Sequence, residues 1–198
     1  MGGNDFDKLS LVALANSART NNTLQALSLK NSSLGADSCI EIGNFLRTSQ
    51  SIKDLDLSQC SLSSSEGKRL GDGLSSNRSL TTLNISSNSK LGEGFVALIQ
   101  TLHGNAISVI TKLFADNVGA GDAGALRMGD ILRSNTTLER ISLKDNGISN
   151  MGAENLFNGL QTNKTLIFLS LEKNDITPNP KFMELKNSVS KTRAISLK

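Results

Sequence analysis

The side chains whose types and spacing could support catalysis are few. Asp54 and Asp56 are two residues apart in a segment of alternating apolar and polar residues, so both point to one side of a predicted strand. Two such carboxylates can act as general acid and base when their pKa values are pushed apart. His103, the single histidine, is a candidate general base. No acid partner or pKa-raising environment is evident for the carboxylates, which favours a solvated acidic patch, and a surface position is favoured for His103 beside Gly104.

Nucleophilic, phosphate-binding and metal-binding motifs are missing from the sequence. It contains no G-x-S-x-G, Walker, H-E-x-x-H or C-x-x-C pattern. The glycines at positions 71, 73, 92, 94, 119, 121 and 124 lack the lysine and hydroxyl residue of a phosphate-binding loop, and repeat geometry explains them better. Cys39 and Cys60 are interpreted as buried core thiols rather than as a disulfide. We therefore expect no catalytic residue, no cofactor and no metal.

Composition and charge exclude further classes of protein. The 198 residues carry a net charge of +3, too small an excess to indicate a nucleic-acid-binding protein. No run of about 18 apolar residues occurs, so no membrane-spanning helix is expected. One His and two Cys argue against a zinc site. The chain has seven Phe but no Trp or Tyr, so its core must be built almost without aromatic residues.

A repeated unit accounts for this composition. The pattern L-x-x-L-x-L, with some substitutions, begins near positions 24, 52, 80, 110, 138, 166 and 192, so the period is almost constant, slightly longer in the third unit and slightly shorter in the sixth. Its fourth and sixth positions alternate with polar residues, which predicts a strand with one buried face. Asn146 and Asn174 follow the strand in two units, and Cys60 takes the same position in another. A buried Asn or Cys there can hydrogen-bond the backbone of a turn.

The second half of each unit has apolar residues at helical spacing. We predict helices over 122–132 and 152–160, among others. Phe45, Phe95 and Phe157 fall in these halves and are predicted to lie in the core. The helices end at turns marked by an asparagine, for which we expect the left-handed backbone conformation that stops a helix. These junction asparagines are Asn77, Asn135 and Asn163.

The chain resembles leucine-rich-repeat proteins of the long, ribonuclease-inhibitor-like type, whose unit is almost complete from Gly152 to Ile176. The resemblance covers roughly residues 8–198. It implies an α/β solenoid curved into a horseshoe, with a parallel sheet on the concave face and helices on the convex face. We predict one domain over residues 1–198 with six to seven repeats, in which residues 5–20 form an N-terminal capping helix.

More distant resemblances suggest functions. The segments 55–62 and 113–117 resemble the repeat region of CARMIL-like actin regulators, and the asparagine junctions resemble those of tropomodulin and NOD-like receptors. The expected function is a non-enzymatic interaction module that binds a protein partner. The alternatives are a GTPase-activating protein for a small GTPase, because the Ran GTPase-activating protein has similar repeats, or the recognition arm of a larger NOD-like sensor or actin regulator.

The two ends of the chain lead to further expectations. Residues 1–8 lack the apolar core of a signal peptide, and Cys-rich caps are missing, so we expect a cytoplasmic location. The last unit is shorter than the others, carries Pro178 and Pro180 at its helix start and has no polar cap. Either the array belongs to a longer protein or a partner covers this end. We expect a monomer, or weak association through that end, and no binding to nucleic acid or membrane.

The candidate binding site consists of strand residues that point away from the core. These occupy positions two, three, five and seven of each L-x-x-L-x-L-x segment. In the later units, large apolar residues stand among charged ones, as in a protein-binding hot spot. The apolar residues are Phe114, Ile167 and Phe168, and the charged residues are Lys112, Glu139, Arg140, Glu172 and Arg193. The alternative is that Phe114 and Phe168 fill gaps left by the irregular fourth unit or by a neighbouring loop.

Overall fold

Strands and helices alternate along the chain in the computed structural model, which describes residues 8–19, 21–102, 109–177, 179–190 and 194–196. The strands are β1 (Ala26–Ser28), β2 (Asp54–Asp56), β3 (Thr82–Asn84), β4 (Lys112–Phe114), β5 (Arg140–Ser142), β6 (Phe168–Ser170) and β7 (Ala194–Ser196). The helices are α1 (Lys8–Arg19), α2 (Ala36–Thr48), α3 (Ser64–Leu74), α4 (Glu93–Gln100), α5 (Gly121–Ser134), α6 (Asn150–Leu160) and α7 (Pro180–Val189). His103, Pro178 and Arg193 lie outside the described residues.

The strands form one parallel sheet in chain order. Equivalent repeat positions are level with one another, as in the row that contains Leu27, Leu55 and Leu83. The third unit is longer than its neighbours and still pairs Leu83 with Leu113, so its extra length is accommodated outside the sheet. The predicted α/β architecture with a parallel sheet is therefore confirmed.

The core lies between the sheet and the helices and is built mainly from Leu and Ile. The residues at the fourth and sixth positions of the first six units are buried. Phe45, Phe95 and Phe157 are buried as predicted, and the ring of Phe157 lies 5.3 Å from that of Phe182. Equivalent positions stack in layers, so side chains of similar size fill the core, and this repetition explains the low aromatic content.

Asparagines that follow β3, β5 and β6 join consecutive units at the turn after the strand. The amide nitrogen of Asn146 donates to one backbone carbonyl in its own unit and one in the preceding unit, at 3.0 and 2.8 Å. Its oxygen accepts the backbone N–H groups of Val118 and Ala120, at 2.9 and 3.2 Å. Asn88 and Asn174 make the corresponding bonds. The predicted role of an Asn here, hydrogen bonding to turn backbone, is confirmed.

The junction asparagines act through hydrogen bonds rather than through an unusual backbone conformation. Asn77, Asn135 and Asn163 are not among the described non-glycine residues with positive φ, and Asn135 has a φ of −73°. The predicted left-handed helix stop is therefore wrong at these positions. Asn163 instead accepts the backbone N–H groups of Thr165 and Leu166 and donates to two carbonyls of the preceding unit, both at 2.9 Å.

Left-handed residues occur instead in the tight turn directly after each of the first six strands. They repeat at Asn31, Gln59, Ser87, Asn117, Asp145 and Lys173. Each precedes the residue that faces the core in the next position, such as Cys60, Asn88 or Asn146. The turn therefore directs that following side chain inward, where the asparagines can bind backbone groups.

Glycines allow close contact between neighbouring helices behind the sheet. A Cβ atom added at Gly67 of α3 would lie 2.6 Å from the backbone of Gly94 in α4. Gly159 of α6 lies still more tightly against the backbone of Gly129 in α5. These glycines are needed for helix packing, in agreement with the interpretation that repeat geometry explains the glycine content.

Helix boundaries agree with the sequence pattern to within a few residues. Helix α5 spans Gly121–Ser134 and α6 spans Asn150–Leu160, slightly longer than the predicted 122–132 and 152–160. Helix α7 begins at Pro180, after Asn179, whose side chain accepts the backbone N–H of Phe182 at 2.8 Å. The N–H groups of the first helical turn have no acceptor within the helix, so the N–H that proline lacks costs no hydrogen bond there. This start is therefore favourable.

Candidate functional site on the concave face

The parallel register arranges the outward-pointing residues of the sheet in columns. We call the surface of these columns the concave face. Position three contributes Ala26, Asp54, Thr82, Lys112, Arg140, Phe168 and Ala194. Position five contributes Ser28, Asp56, Asn84, Phe114, Ser142, Ser170 and Ser196. The position-three column changes from Asp54 and Thr82 to Lys112, Arg140 and Phe168, whereas the position-five column is polar except at Phe114.

Arg140 and Phe168 are brought together by the register of β5 and β6. The guanidinium carbon of Arg140 lies 5.6 Å from the centroid of the Phe168 ring, within the range of a cation–π interaction. Lys112 is the neighbour of Arg140 on β4, and Ile167 directly precedes Phe168 with 46% of its surface exposed. We call Lys112, Arg140, Ile167 and Phe168 the cationic–aromatic cluster. Glu139, which directly precedes Arg140, is exposed.

Glu172 is held by Lys144, which the sequence prediction of the site did not include. One oxygen of Glu172 accepts a hydrogen bond from Nζ of Lys144 at 2.6 Å, and the other accepts the Ser196 hydroxyl at 2.6 Å. The hydrogen bond with Lys144 lowers the pKa of Glu172, and the same bond raises the pKa of Lys144. This charge is therefore already paired within the protein.

Asp116 extends this arrangement toward β4. Its Oδ1 accepts the backbone N–H of Lys144 at 2.9 Å and a hydrogen bond from the Ser142 hydroxyl. Asp116, Lys144 and Glu172 all occupy position seven of consecutive units. Their alternating charge signs, at equivalent positions of the repeat, are the sequence signal that could have identified them.

Phe114 follows Lys112 on β4 by two residues, but it lines a different part of the face from Arg140 and Phe168. It is half-buried and forms one wall of a concavity of about 480 Å³ on the other half of the face. We call this concavity the acidic groove. Its lining consists of Ala26, Leu27, Ser28, Asp54, Leu55, Asp56, Thr82, Asn84 and Phe114. Phe114 and Phe168 stand on strands separated by β5, so the residues predicted as one site are distributed over two regions.

Sequence comparison agrees with this repeated geometry. A family model described as "Leucine Rich repeat" matches residues 76–92 and 134–157, each of which includes an asparagine junction or part of a helix. The fold is that of a leucine-rich-repeat solenoid. The stacked asparagine turns and the single parallel sheet are the structural form of that repeat.

Known proteins resemble this leucine-rich-repeat solenoid in fold or in part of its sequence. A solved structure described as "Leiomodin-1 Actin-Binding Site 2 (ABS2)" has a TM-score of 0.57 at 20% identity, covering 68% of this chain and 78% of that one. The tropomodulin C-terminal domain from Caenorhabditis elegans has a TM-score of 0.52 at 17% identity, covering 94% of this chain and 91% of that one. The Xenopus tropicalis protein "Centrosomal protein of 78 kDa" is 37% identical over 60 residues, which are 30% of this chain and 8% of that protein.

The cysteines and Asp56, which were considered for chemistry, occupy structural positions in this solenoid. Cys39 and Cys60 are free and buried, as predicted, and burial raises the pKa of Cys39 to about 12. Asp56 accepts the backbone N–H of Ser58 at 2.9 Å and so has a role in its turn. In the described part of the chain, no three His, Cys, Asp or Glu side chains are placed to hold a metal ion. None of the described helices combines the length and apolar character needed to cross a membrane.

Proposed function

We propose that this chain is a non-enzymatic, cytoplasmic protein-interaction module whose concave face binds a protein partner. The observation that carries the proposal is the stacking of Arg140 on Phe168 beside the exposed Ile167. Arginine and aromatic side chains are the types that contribute most to binding energy in protein interfaces. The repeat supports the same class of function, because a solenoid presents a long, stable surface on which outward residues vary independently of the core.

Preorganisation supports the cationic–aromatic cluster as the centre of the interface. The Phe168 ring holds the Arg140 guanidinium in one place, so less side-chain entropy is lost when a partner binds. Lys144 and Glu172 are paired beside it and form a polar border, as around other interface centres. Ser170 follows Phe168 by two residues on β6, and its buried hydroxyl has no hydrogen-bond partner among the described residues. Lys112, Phe114, Glu139, Arg140, Ile167, Phe168, Glu172 and Arg193 remain the proposed contact residues.

Actin is a partner to be tested rather than inferred. The leiomodin-1 structure is described as an actin-binding site, but at 20% identity the similarity supports only a shared fold. No feature of the described structure specifically favours the two alternatives, a GTPase-activating protein or the recognition arm of a larger sensor. A GTP hydrolysis assay with small GTPases of the Ran type tests the first alternative directly.

The decisive experiment compares the proteins bound by the wild-type chain and by Arg140→Ala/Phe168→Ala. Affinity capture with quantitative mass spectrometry identifies the partner, and purified partner then gives the dissociation constant. We expect the double variant to bind about thirtyfold more weakly or worse, because hot-spot residues contribute roughly 2 kcal/mol or more. Purified actin is included as a defined candidate.

A matched control removes exposed apolar surface from the other side of the molecule. Met151 of α6 is 63% exposed, so Met151→Ala changes a similar amount of apolar surface without touching the concave face. Equal partner binding by wild type and the Arg140/Phe168 variant, with loss of binding in Met151→Ala, would place the interface on the helices and reject the proposal.

A further inference from the structure

The acidic groove differs from the rest of the concave face because its charges are unpaired. Asp54 is exposed and Asp56 is half-buried, and neither forms an ion pair within the described part of the chain. The residues that line the groove include no Lys or Arg among those the structure describes. By contrast, Glu172 near the other end of the sheet is bound by Lys144 at 2.6 Å. Two carboxylates on one short strand repel each other, so a cationic ligand would relieve an unfavourable interaction there.

The groove also contains a specific apolar surface. Phe114 forms its wall on the β4 side, and this half-buried ring is the only aromatic residue among the described residues that line the groove. Asp56 and Phe114 both occupy position five, on strands two apart, which corresponds to about 10 Å at the usual strand spacing. An extended peptide covers that distance with about three residues. A cationic side chain and an apolar side chain two or three residues apart can therefore reach both walls.

Polar groups lie close to the carboxylates of β2 as well. The hydroxyl of Ser58, at position seven of β2's unit, is buried and has no hydrogen-bond partner among the described residues. The backbone N–H of Ser58 donates to the carboxylate of Asp56 at 2.9 Å and restrains it. Thr82 and Asn84 lie between the acidic wall and Phe114. The groove thus combines two negative charges, one of them held by a backbone N–H, with hydrogen-bonding groups and one aromatic wall.

We propose that the acidic groove binds an extended, positively charged peptide segment of the protein partner, with an arginine or lysine at Asp54 and Asp56 and an apolar side chain against Phe114. The proposal rests on the proposed function, since it identifies a second contact on the same face. Charge complementarity selects this occupant: the carboxylates repel nucleic acid and anionic membranes and attract basic peptides. The groove volume of about 480 Å³ accommodates a few side chains, within the usual range for a bound segment of this size.

Selection of peptides from a random-sequence display library tests the proposal without knowledge of the partner. The bait is the full chain, and the comparison bait is Asp54→Asn/Asp56→Asn. We expect wild type to enrich peptides with Arg or Lys two or three residues from an apolar residue. A selected peptide should bind the double variant about tenfold more weakly, and the difference should shrink as salt increases. Phe114→Ala should weaken the same peptide through loss of apolar contact.

The variants are chosen so that folding and binding can be separated. Asn84 already accepts the backbone N–H of Ser86 as Asp56 accepts that of Ser58, so Asp56→Asn keeps a turn that the fold uses elsewhere. Asp72→Asn removes one negative charge from the exposed side of α3 and should leave peptide binding unchanged. Failure to enrich basic peptides, or equal binding by the Asp54/Asp56 variant, would overturn the groove proposal.

The outcomes also distinguish this proposal from the proposed function. Arg140→Ala/Phe168→Ala leaves the groove lining intact and should retain the selected peptide while losing the protein partner. Partner binding that survives that variant but depends on Asp54 and Asp56 would reject the cationic–aromatic cluster and keep the groove. If partner binding depends on Arg140 and Phe168 but the chain selects no basic peptide, the groove proposal is rejected and the cationic–aromatic cluster is kept as the binding site.

Discussion

The acidic groove and the cationic–aromatic cluster share one sheet and differ in how their charges are satisfied. In the groove, Asp54 and Asp56 have no cationic partner within the described chain. Near the cluster, Lys144 is paired with Glu172, and Arg140 is stacked on Phe168. The backbone register is the same in both regions. The difference therefore comes entirely from outward side chains, which a repeat protein can vary without altering its core.

Asn146 lies where the two regions meet, and its replacement should have the largest effect. Asn146→Ala removes four side-chain hydrogen bonds, three of which are buried and link the turns after β4 and β5. We expect the free energy of unfolding to fall by about 3–5 kcal/mol, because several backbone groups lose their partners in a buried site. Urea denaturation followed by circular dichroism measures this change. Unfolding that splits into two transitions would indicate that the groove half and the cluster half separate at this point.

The control for this experiment is another asparagine of the same unit. Asn158 is exposed on α6, so Asn158→Ala should change the unfolding free energy by no more than about 0.5 kcal/mol. A loss below about 1 kcal/mol in Asn146→Ala would show that the turn is stable without its side-chain bonds and would contradict the role inferred for the buried asparagines.

Replacing a glycine at a helix–helix contact should destabilise the fold equally behind the groove and behind the cluster. Gly67→Ala places a methyl group against Gly94 behind the groove, and Gly159→Ala places one against Gly129 behind the cluster. We expect each to lower the unfolding free energy by about 1–3 kcal/mol, because the helix backbones must move apart. Gly35→Ala is the control, since a Cβ there would meet no atom within 4 Å. A large loss in only one of the two helix pairs would show that the regions differ in their supporting layer as well as in their surface.

The fold was more predictable from sequence than the site was. The nearly constant period and the inward fourth and sixth positions determine which side chains enter the core, and these predictions need only local alternation. The junction asparagines were misinterpreted because their partners lie in the preceding unit, as in the bond from Asn163 to the carbonyl of Leu132. Likewise, Phe114 and Phe168 were grouped because both point outward. The repeat itself places them two units apart. What the sequence did not show is that Phe114 shares a concavity with Asp54 and Asp56, because that concavity is lined by residues from four different units.

Acid should destabilise α3, the helix that follows β2, through protonation of Glu66 in its first turn. Burial alone would raise the pKa of Glu66, but hydrogen bonds from Ser63 and Ser65 outweigh it and lower the pKa. A lowered pKa means that this carboxylate stabilises the fold above its ordinary value of about 4.3 and that the contribution disappears as pH falls through the lower, folded value. Glu66→Gln should reduce the unfolding free energy by about 1 kcal/mol at neutral pH and flatten its acid dependence.

The measurement for Glu66 is urea denaturation at a series of pH values from neutral to acidic. Glu93 is the first residue of α4 and is exposed, so Glu93→Gln serves as the matched control with a weaker effect. An acid dependence that is the same in wild type and Glu66→Gln would contradict the assignment of this carboxylate as a stabilising cap.

The smallest expected effect compares the charges of the two regions directly. Glu172→Gln should lower stability slightly, because the hydrogen bond from Lys144 is weakened, whereas Asp54→Asn/Asp56→Asn should leave stability unchanged or raise it. The folded pKa of Glu172 is lowered and that of Lys144 is raised. The pair therefore contributes from above the ordinary carboxylate pKa of about 4.3 to below the ordinary lysine pKa of about 10.4, and less outside that window.

A double-mutant cycle with Lys144→Met and Glu172→Gln isolates this interaction, measured at low and high salt. Both side chains are partly exposed, so the coupling should be small and should decrease as salt screens the charges. If neutralising Asp54 and Asp56 destabilises the fold as much as neutralising Glu172, then the groove carboxylates have cationic partners of their own. The contrast between paired and unpaired charges would then be lost, and with it the reason for expecting a basic ligand in the groove.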